Sequence, residues 1–452
     1  MLVYGMGRSG RAVLRALSNR EIECYSVDQA SSETEAGRAN EEFASSLGVE
    51  LISGFAGESL PGEFGSVVVS PGIDHRRPEL QEAGRRGIEI LSEPEFAARL
   101  TEKPIYAITG TNGKSTATVL VHLLLRAHGV GSVLCGNLAG SGYEERTLTE
   151  AVETEGAECF TAEISSFQLE WVHRFAPKIG AITNITPDHL DRYDDFDDYA
   201  ATKLHLFAHQ SADDFALAPA QDERFEELWK KLAPKFRSRL IWWGSKESGV
   251  FDNGAALVQA GRREFPWKEL PLASMPLRKN SVLAWTIAWL ACESLGAEWR
   301  PDLAWQMLRE FRGLTHRMET LGERNGITVV NNSMCTNAAA LIGSTEDLGR
   351  PLHLLIGGVT KGNPFEPVKA HLERIDAKPY LFGRDARLLQ QVLGTPDPIY
   401  STLQEAFEAA ASAARPGDVV ILAPGCASMD QFRDFRHRGE VFREVAAAWL
   451  EP

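Results

Sequence analysis

The sequence predicts an α/β protein of three domains. These are a Rossmann-like N-terminal domain at residues 1–98, a central P-loop domain built on a parallel sheet at 99–312, and a C-terminal Rossmann-like domain at 313–452. Three observations predict this. At 452 residues the chain is too long for one ordinary core, since a domain takes about 100–200 residues. Short apolar strands alternate with amphipathic helices in three successive series, which is the pattern of parallel, doubly wound sheets. Glycine turns follow the first strand of each of the first two series.

In the first series Leu2–Tyr4 reads as a strand and a helix follows from about Ser9. The next strand reads as Ile22–Val27, and Ser32-Glu33-Thr34-Glu35 has the spacing of a capping box opening a helix. Val67-Val68-Val69 is a buried strand ending at Ser70-Pro71-Gly72, and Ile88–Leu91 closes the block. The second series opens at Ile105–Thr109 and continues through strands at Cys159–Glu163, Ile179–Asn184 and Phe215–Ala218. Residues 250–265, with Asn253-Gly254 between extended stretches, read as a hairpin insert. Helices near 280–295 and 302–311 follow it. The third series has strands at Ile327–Asn331, Leu352–Ile356 and Val419–Leu422, and a last helix carrying Val441, Val445 and Leu450.

Composition narrows the function classes. Hydrophobic and charged fractions of 44% and 24% are those of a soluble globular protein, and no apolar run approaches the roughly 20 residues of a bilayer span. The opening MLVYGMGRSG runs straight into a strand and turn, which leaves no room for a signal peptide. Six cysteines without CxxC spacing fit reduced thiols better than disulfides or a zinc site. A cytoplasmic location follows as the expectation. The net charge of −15 argues against a nucleic-acid binder, while anionic small molecules remain open because loops and helix ends hold them.

The chemistry-bearing motifs fall at strand ends. Gly5-Met6-Gly7-Arg8-Ser9-Gly10 is a GxGxxG between strand and helix, with Asp28 ending the second strand. It suits a nucleotide-shaped ligand, NAD among the candidates, or a structural turn. Gly110-Thr111-Asn112-Gly113-Lys114-Ser115-Thr116 is more specific. Its amides can cradle phosphates, Lys114 can reach the β- and γ-phosphates, and the Ser115 or Thr116 hydroxyl can sit on Mg²⁺. Ile108 stands where a longer GxxxxGK[ST] loop would have its first glycine. Glu163 and His189 end strands in the same series and could hold Mg²⁺, although histidine is not its typical ligand. Lys203 by itself reads as a solvated helix lysine. In the third series, Arg317, the polar run Asn331–Asn337, Gly357–Lys361 and Pro424–Phe432 are polar strand ends or caps that together suggest a second ligand pocket.

With these motifs in view, the chain resembles the Mur ligase family from end to end, through GTNGKST, Glu163-Ile164-Ser165-Ser166-Phe167-Gln168-Leu169-Glu170, NITPDHLDRY and CASMDQF. Within the family it looks most like the branch that adds D-glutamate to UDP-N-acetylmuramoyl-L-alanine in peptidoglycan synthesis. The resemblance implies ATP-dependent amide ligation through an acyl phosphate. In it the first domain binds UDP, the central domain is an ATPase, and the third takes the amino acid. It implies UDP-substrate contacts at Gly7, Arg8, Ser9, Gly10, Asp28, Ser70, Pro71, Gly72, Asn137, Ser165 and Gln168. ATP would be held by Gly110 through Thr116, Asn280, Arg317 and Asn332, with Arg317 on the γ-phosphate. Two Mg²⁺ ions would sit on Ser115, Glu163, His189 and a carbamylated Lys203. Lys114, His189, Lys203 and Arg317 form the implied catalytic set, and Thr336, Lys361, Ser428 and Phe435 the glutamate pocket. A monomer is expected, with small molecules as its only partners.

Four departures from the family pattern stand out. Asn332 replaces the aspartate that contacts the nucleotide ribose, and Met334 replaces a lysine near the incoming carboxylate. One adenine-side asparagine is missing after Asn280, and Gly136–Gly140 lacks the family's proline. A changed amino-acid choice such as L-glutamate is therefore an alternative. Others are folate polyglutamate synthesis, a nicotinamide oxidoreductase built on Gly5–Gly10, and a non-catalytic nucleotide-binding relative.

Overall fold

The computed structural model describes residues 1–451 apart from 58, 190, 221, 233–235, 262–263, 271–272, 347 and 363. Among the described residues three large sheets, besides one small antiparallel insert, carry the chain. The first is five parallel strands in spatial order Glu50–Ile52, Tyr25–Val27, Leu2–Tyr4, Ser66–Val69 and Glu89–Ser92. The second is six parallel strands in order Arg239–Trp243, Phe215–Pro219, Ile179–Ile182, Ile105–Thr109, Cys159–Glu163 and Ser132–Gly136. The third runs Glu319–Arg324, Ile327–Asn331, Val419–Leu422, Leu352–Gly357, Ala377–Phe382 and Ile399–Tyr400, with only its first strand antiparallel. Apolar side chains on both faces of each sheet make separate cores, as parallel strands covered by helices require.

Several local expectations are corrected. The helix expected to open with a capping box at Ser32 spans Glu35–Ser46, and its cap is Thr34, whose hydroxyl accepts from the Gly37 amide. Ser32 lies two residues too early to face those amides. The strand expected from Ile22 begins at Tyr25, because the Ile22 amide still bonds Leu17 and Glu21 has a φ of +54°. Thr183 and Asn184 are not strand residues: the strand stops at Ile182 and both side chains turn to the glycine loop. The hairpin insert is a three-stranded antiparallel sheet of Val250–Asp252, Ala256–Gln259 and Glu264–Pro266, and residues 262–263 of that stretch lie outside the described residues. No described helix is long and apolar enough to cross a membrane.

Polar contacts join the first sheet to the second. Arg192 donates to both carboxylate oxygens of Glu170 and to the carbonyls of Pro71 and Ile73, so it ties the NITPDHLDRY stretch to the Ser70-Pro71-Gly72 loop. Glu95, fully buried, accepts from three successive amides at His173, Arg174 and Phe175. Those backbone bonds hold its carboxyl below the usual range against the opposing effect of burial.

Glu93 is the less satisfied member of this seam. One oxygen accepts from the Thr149 amide, and the other has no protein partner. Burial raises its pKa to about 7. A carboxyl held above its unfolded value favours the folded state at low pH and loses that contribution as pH rises through about 7. Stability should therefore fall from pH 5 to pH 8, by up to on the order of 3 kcal/mol from this group. Melting of wild type and Glu93→Gln across that range checks it: the glutamine variant should show the shallower decline.

Candidate active site

The carboxyl ends of the central strands open into a cleft of about 800 Å³. The glycine loop forms its floor between Ile105–Thr109 and the helix Lys114–Ala127. Two glycines there have no substitute. Gly110 has a φ of +142° and a Cβ would lie 2.0 Å from Thr183 Oγ1, while Gly113 has a φ of +83° and a Cβ would meet Asn280 Oδ1 at 2.6 Å. The loop is clamped from the side. The Asn112 amide donates to Asn184 Oδ1, and Thr183 Oγ1 and Asn184 Nδ2 both donate to the Asn112 carbonyl. Sequence reasoning missed Thr183 and Asn184 as loop clamps, although their polar character at a strand end was visible.

Three cationic side chains converge on this loop. Lys114 Nζ donates to the carbonyls of Gly110 and Thr111, and burial lowers its pKa. Lys203 is not a solvated helix lysine. Its side chain is buried at 2% exposure, its Nζ donates to the Gly110 carbonyl at 2.8 Å, and it lies 4.6 Å from the Tyr199 ring centre. The last turn of Phe196–Leu204 aims it inward, and burial with Lys114 nearby depresses its pKa strongly. Arg317 arrives from the third series and donates Nη1–H to Ser115 Oγ at 3.1 Å.

The anionic counterpart is Glu163, also 2% exposed, with Oε2 lacking any hydrogen-bond partner in the protein. Burial raises its pKa, and Lys114, Ser115, Arg317 and Asn137 oppose that shift. His189 sits at a φ of +53°, exposed, its ring 4.8 Å from Phe167 and 6.2 Å from Tyr199. Tyr199 in turn reaches Thr111 Oγ1 at 3.2 Å. Among the described residues no group of three His, Cys, Asp or Glu side chains could hold a metal by itself.

The cleft wall gathers Thr111 through Thr116, Asn137, Glu163, Asn280, Arg317 and Asn332 of the expected residues. Asn332 is spent on structure as well, donating to Ser344 Oγ and accepting from the Met318 amide. Ser165 and Gln168 bond each other, with Gln168 buried. Gly110 adjoins the lining at Thr111, Lys203 bonds Gly110, and His189 follows the lining residue Asp188, while the remaining expected residues are not part of the cleft lining. Asp28 accepts from the Met6 and Ala30 amides and so organises the first glycine turn. Ser70 bonds the Gly5 carbonyl there, beside Pro71 and Gly72. Gly10 lets the helix approach, since a Cβ would lie 1.8 Å from Gly5 O. Gly7 precedes the helix that begins at Arg8 and Ser9, and Arg8 pairs with Glu145 of the central series.

A second polar rim lies at the strand ends of the third sheet. Reciprocal backbone bonds between Val359 and Ala427 set Lys361 and Ser428 on adjacent segments, and the Gly425 amide bonds Cys335 next to Thr336. Ser333 Oγ donates to the carbonyl of Phe435. Arg438, fully buried, donates to Ser333 and to the Cys426 carbonyl and locks the rim together. Sequence reasoning missed Arg438, which carries no motif spacing of its own.

Comparison with known proteins agrees with this architecture. Three family descriptions match in order: the MurD-like N-terminal domain of Mur ligases at residues 1–92, the Mur ligase middle domain at 108–274, and the Mur ligase glutamate ligase domain at 316–426. The chain is 35% identical to the UDP-N-acetylmuramoylalanine–D-glutamate ligase of Pelotomaculum thermopropionicum, covering 98% of this chain and 96% of that protein. It is 36% identical to the protein of the same name from Rubrobacter xylanophilus, over 98% and 97% of the two chains. Among solved structures, Thermotoga maritima MurF ligase in complex with ADP superposes with a TM-score of 0.57 at 12% identity, covering 99% of this chain and 98% of that one. UDP-N-acetylmuramate–alanine ligase MurC from the same organism gives 0.56 at 16% identity over 99% of each chain. A bifunctional folylpolyglutamate synthase/dihydrofolate synthase gives 0.53 at 16% identity over 78% and 93%. These distant structures share the fold, while the full-length relatives above 30% identity fix the lineage: the chain belongs to the Mur ligase family.

Proposed function

We propose that this chain joins D-glutamate to UDP-N-acetylmuramoyl-L-alanine at the expense of ATP, in peptidoglycan precursor synthesis. The observation that carries the reading is the convergence of Lys114, Ser115, Glu163 and Arg317 on one glycine loop, in a chain whose full-length relatives bear that ligase's name. We divide the chain at 98/99 and 312/313, giving a UDP-binding, an ATP-binding and an amino-acid-binding domain, in a cytoplasmic monomer.

The reaction needs a carboxylate to attack the γ-phosphorus of ATP, giving an acyl phosphate and ADP. The glutamate amine then attacks the activated carbonyl, and phosphate leaves. Negative charge accumulates on the transferring phosphoryl group, and preorganised cations in a water-poor site stabilise it. Lys114 and Arg317 supply those charges from opposite walls, already desolvated, so little reorganisation is needed when charge develops. The loop amides orient the phosphates, with Asn280 over Gly113 beside them. Closure of the third domain on the loop would shield the acyl phosphate from water.

Mg²⁺ fits the donors present. An orphaned buried oxygen on Glu163, beside the Ser115 hydroxyl and with Lys114 and Lys203 acting on it, suits a hard cation that completes its shell with phosphate oxygens and water. Ser115, Glu163, His189 and a carbamylated Lys203 would hold two ions, which neutralise phosphate charge when bound. Lys203 is suited to carbamylation because burial favours its neutral amine, the form that adds CO₂ to give an anionic oxygen ligand.

The test is phosphate release from ATP with UDP-N-acetylmuramoyl-L-alanine and D-glutamate, L-glutamate or no amino acid. Turnover with D-glutamate alone is expected. Turnover with L-glutamate instead would sink the D-specific reading and make Met334 the mark of changed choice. Lys203→Ala should lower turnover by at least about tenfold, and bicarbonate should not restore it. Undiminished turnover in that variant would remove Lys203 from the site.

A further inference from the structure

We infer that Arg192 is a positioning residue, which holds the Ser70-Pro71-Gly72 loop of the first sheet and His189 of the central series in one frame. The inference rests on the proposed function, in which that loop meets the UDP-linked substrate and His189 meets the metal.

The guanidinium is buried and almost fully spent. Arg192 is 8% exposed, and four of an arginine's five N–H donors are bonded. Its Nε–H and one Nη2–H fork the Glu170 carboxylate at 2.9 and 2.6 Å. Nη1–H reaches the Pro71 carbonyl at 2.9 Å, and the second Nη2–H reaches that of Ile73 at 2.8 Å. Those two carbonyls flank Gly72, so the cation fixes the backbone on both sides of the loop's glycine. Glu170 directly follows the turn Phe167–Leu169, which anchors the ion pair in the central series.

A planar cation also has faces, and here one face is used. The Arg192 guanidinium lies 4.1 Å from the Phe167 ring centre, and the same ring lies 4.8 Å from the His189 ring. Phe167 therefore touches both and passes the position of the guanidinium on to the imidazole. The backbone closes the same circuit. The His189 carbonyl accepts from the amides of Arg192 and Tyr193, at 2.9 and 3.2 Å. His189 itself has a φ of +53°, a conformation that a residue with a Cβ keeps only when its surroundings dictate it. Arg192 supplies two of those surroundings, through its amide and through Phe167.

Adhesion between two cores does not require this much. A simple charge pair or an apolar contact would join them, and a buried ion pair is weak evidence of stability. A rigid fork with a flat face fixes direction as well. The His189 side chain is 45% exposed and Asp188 beside it is as open, so the direction of the imidazole comes from Phe167, Tyr199 and the turn rather than from burial. An imidazole that is to meet a metal depends on such outer supports.

Two binding measurements on the full chain test this. One is calorimetry with UDP-N-acetylmuramoyl-L-alanine, and the other is Mn²⁺ titration by electron paramagnetic resonance with a non-hydrolysable ATP analogue bound. Arg192→Lys keeps the charge and loses the fork and the face. It should weaken substrate binding by a few-fold and Mn²⁺ binding by about tenfold. Phe167→Leu removes the shared ring and leaves the bonds to Pro71 and Ile73. There Mn²⁺ binding should weaken by a few-fold while substrate binding stays within about twofold. In a His189→Ala background, Arg192→Lys should add less than about twofold to the loss of Mn²⁺ affinity and keep its whole effect on the substrate. Wild-type affinity for both ligands in a folded Arg192→Lys would overturn the inference and leave Arg192 as an adhesive between cores. Should that variant fail to fold, Phe167→Leu decides, and unchanged Mn²⁺ affinity there would overturn the inference. A Mn²⁺ penalty that persists undiminished without His189 would do the same. Wild type that binds neither ligand would overturn the reading beneath the inference, which keeps the two failures apart.

Discussion

The contact between Arg317 and Ser115 is the constraint on which the arrangement of this molecule depends. Its two partners belong to different cores, one beside the third sheet and the other at the start of the helix Lys114–Ala127. Neither core alone places a cation on both sides of the glycine loop. The third sheet must present the turn at Arg317 to the central sheet, and the cleft is the space left between them. The seams on the other side serve the same end. Arg192 grips the loop at Pro71 and Ile73, and Glu95 grips the amides of His173 to Phe175, so the first sheet is set against the stretch that carries His189 and Arg192.

Electrostatics gives this arrangement its direction. Lys114, Lys203 and Arg317 are all pushed toward their neutral forms by desolvation, and Glu163 is the buried carboxylate opposed to them. Cations partly removed from water without full pairing are costly by themselves. That cost is recovered by a ligand that brings several negative charges, and a nucleotide triphosphate with its divalent cations is such a ligand. A site that holds unspent positive charge favours the state in which phosphate charge is greatest, which is what phosphoryl transfer requires.

Much of this was legible in the sequence because it follows from local chemistry. Strand, glycine loop and helix around Lys114 are adjacent in the chain, so spacing alone locates them. The three βα series predict the parallel sheets, since alternation of apolar strands with helices has few other solutions. What escaped depends on contacts distant in sequence. Lys203 reads as a surface lysine until its helix is seen packed under Gly110, 93 residues away. Met334 reads only as a missing charge until Arg317, 17 residues earlier, is found with its fork on the sulfur. Thr183 and Asn184 looked like more strand, because a strand end and a polar clamp share one composition. Arg438 illustrates the same limit: nothing in its neighbours announces a fully buried guanidinium bonded to Ser333 and Cys426.

The central claim is that a substrate carboxylate is phosphorylated in this cleft before the amide forms. It is tested most directly by labelling the alanyl carboxylate of UDP-N-acetylmuramoyl-L-alanine with ¹⁸O and following the label during turnover with ATP and D-glutamate. The account predicts one ¹⁸O atom in each phosphate released, because that oxygen bridges carbon and phosphorus in the acyl phosphate and leaves with phosphorus. Release of unlabelled phosphate, or label appearing in AMP, would contradict it.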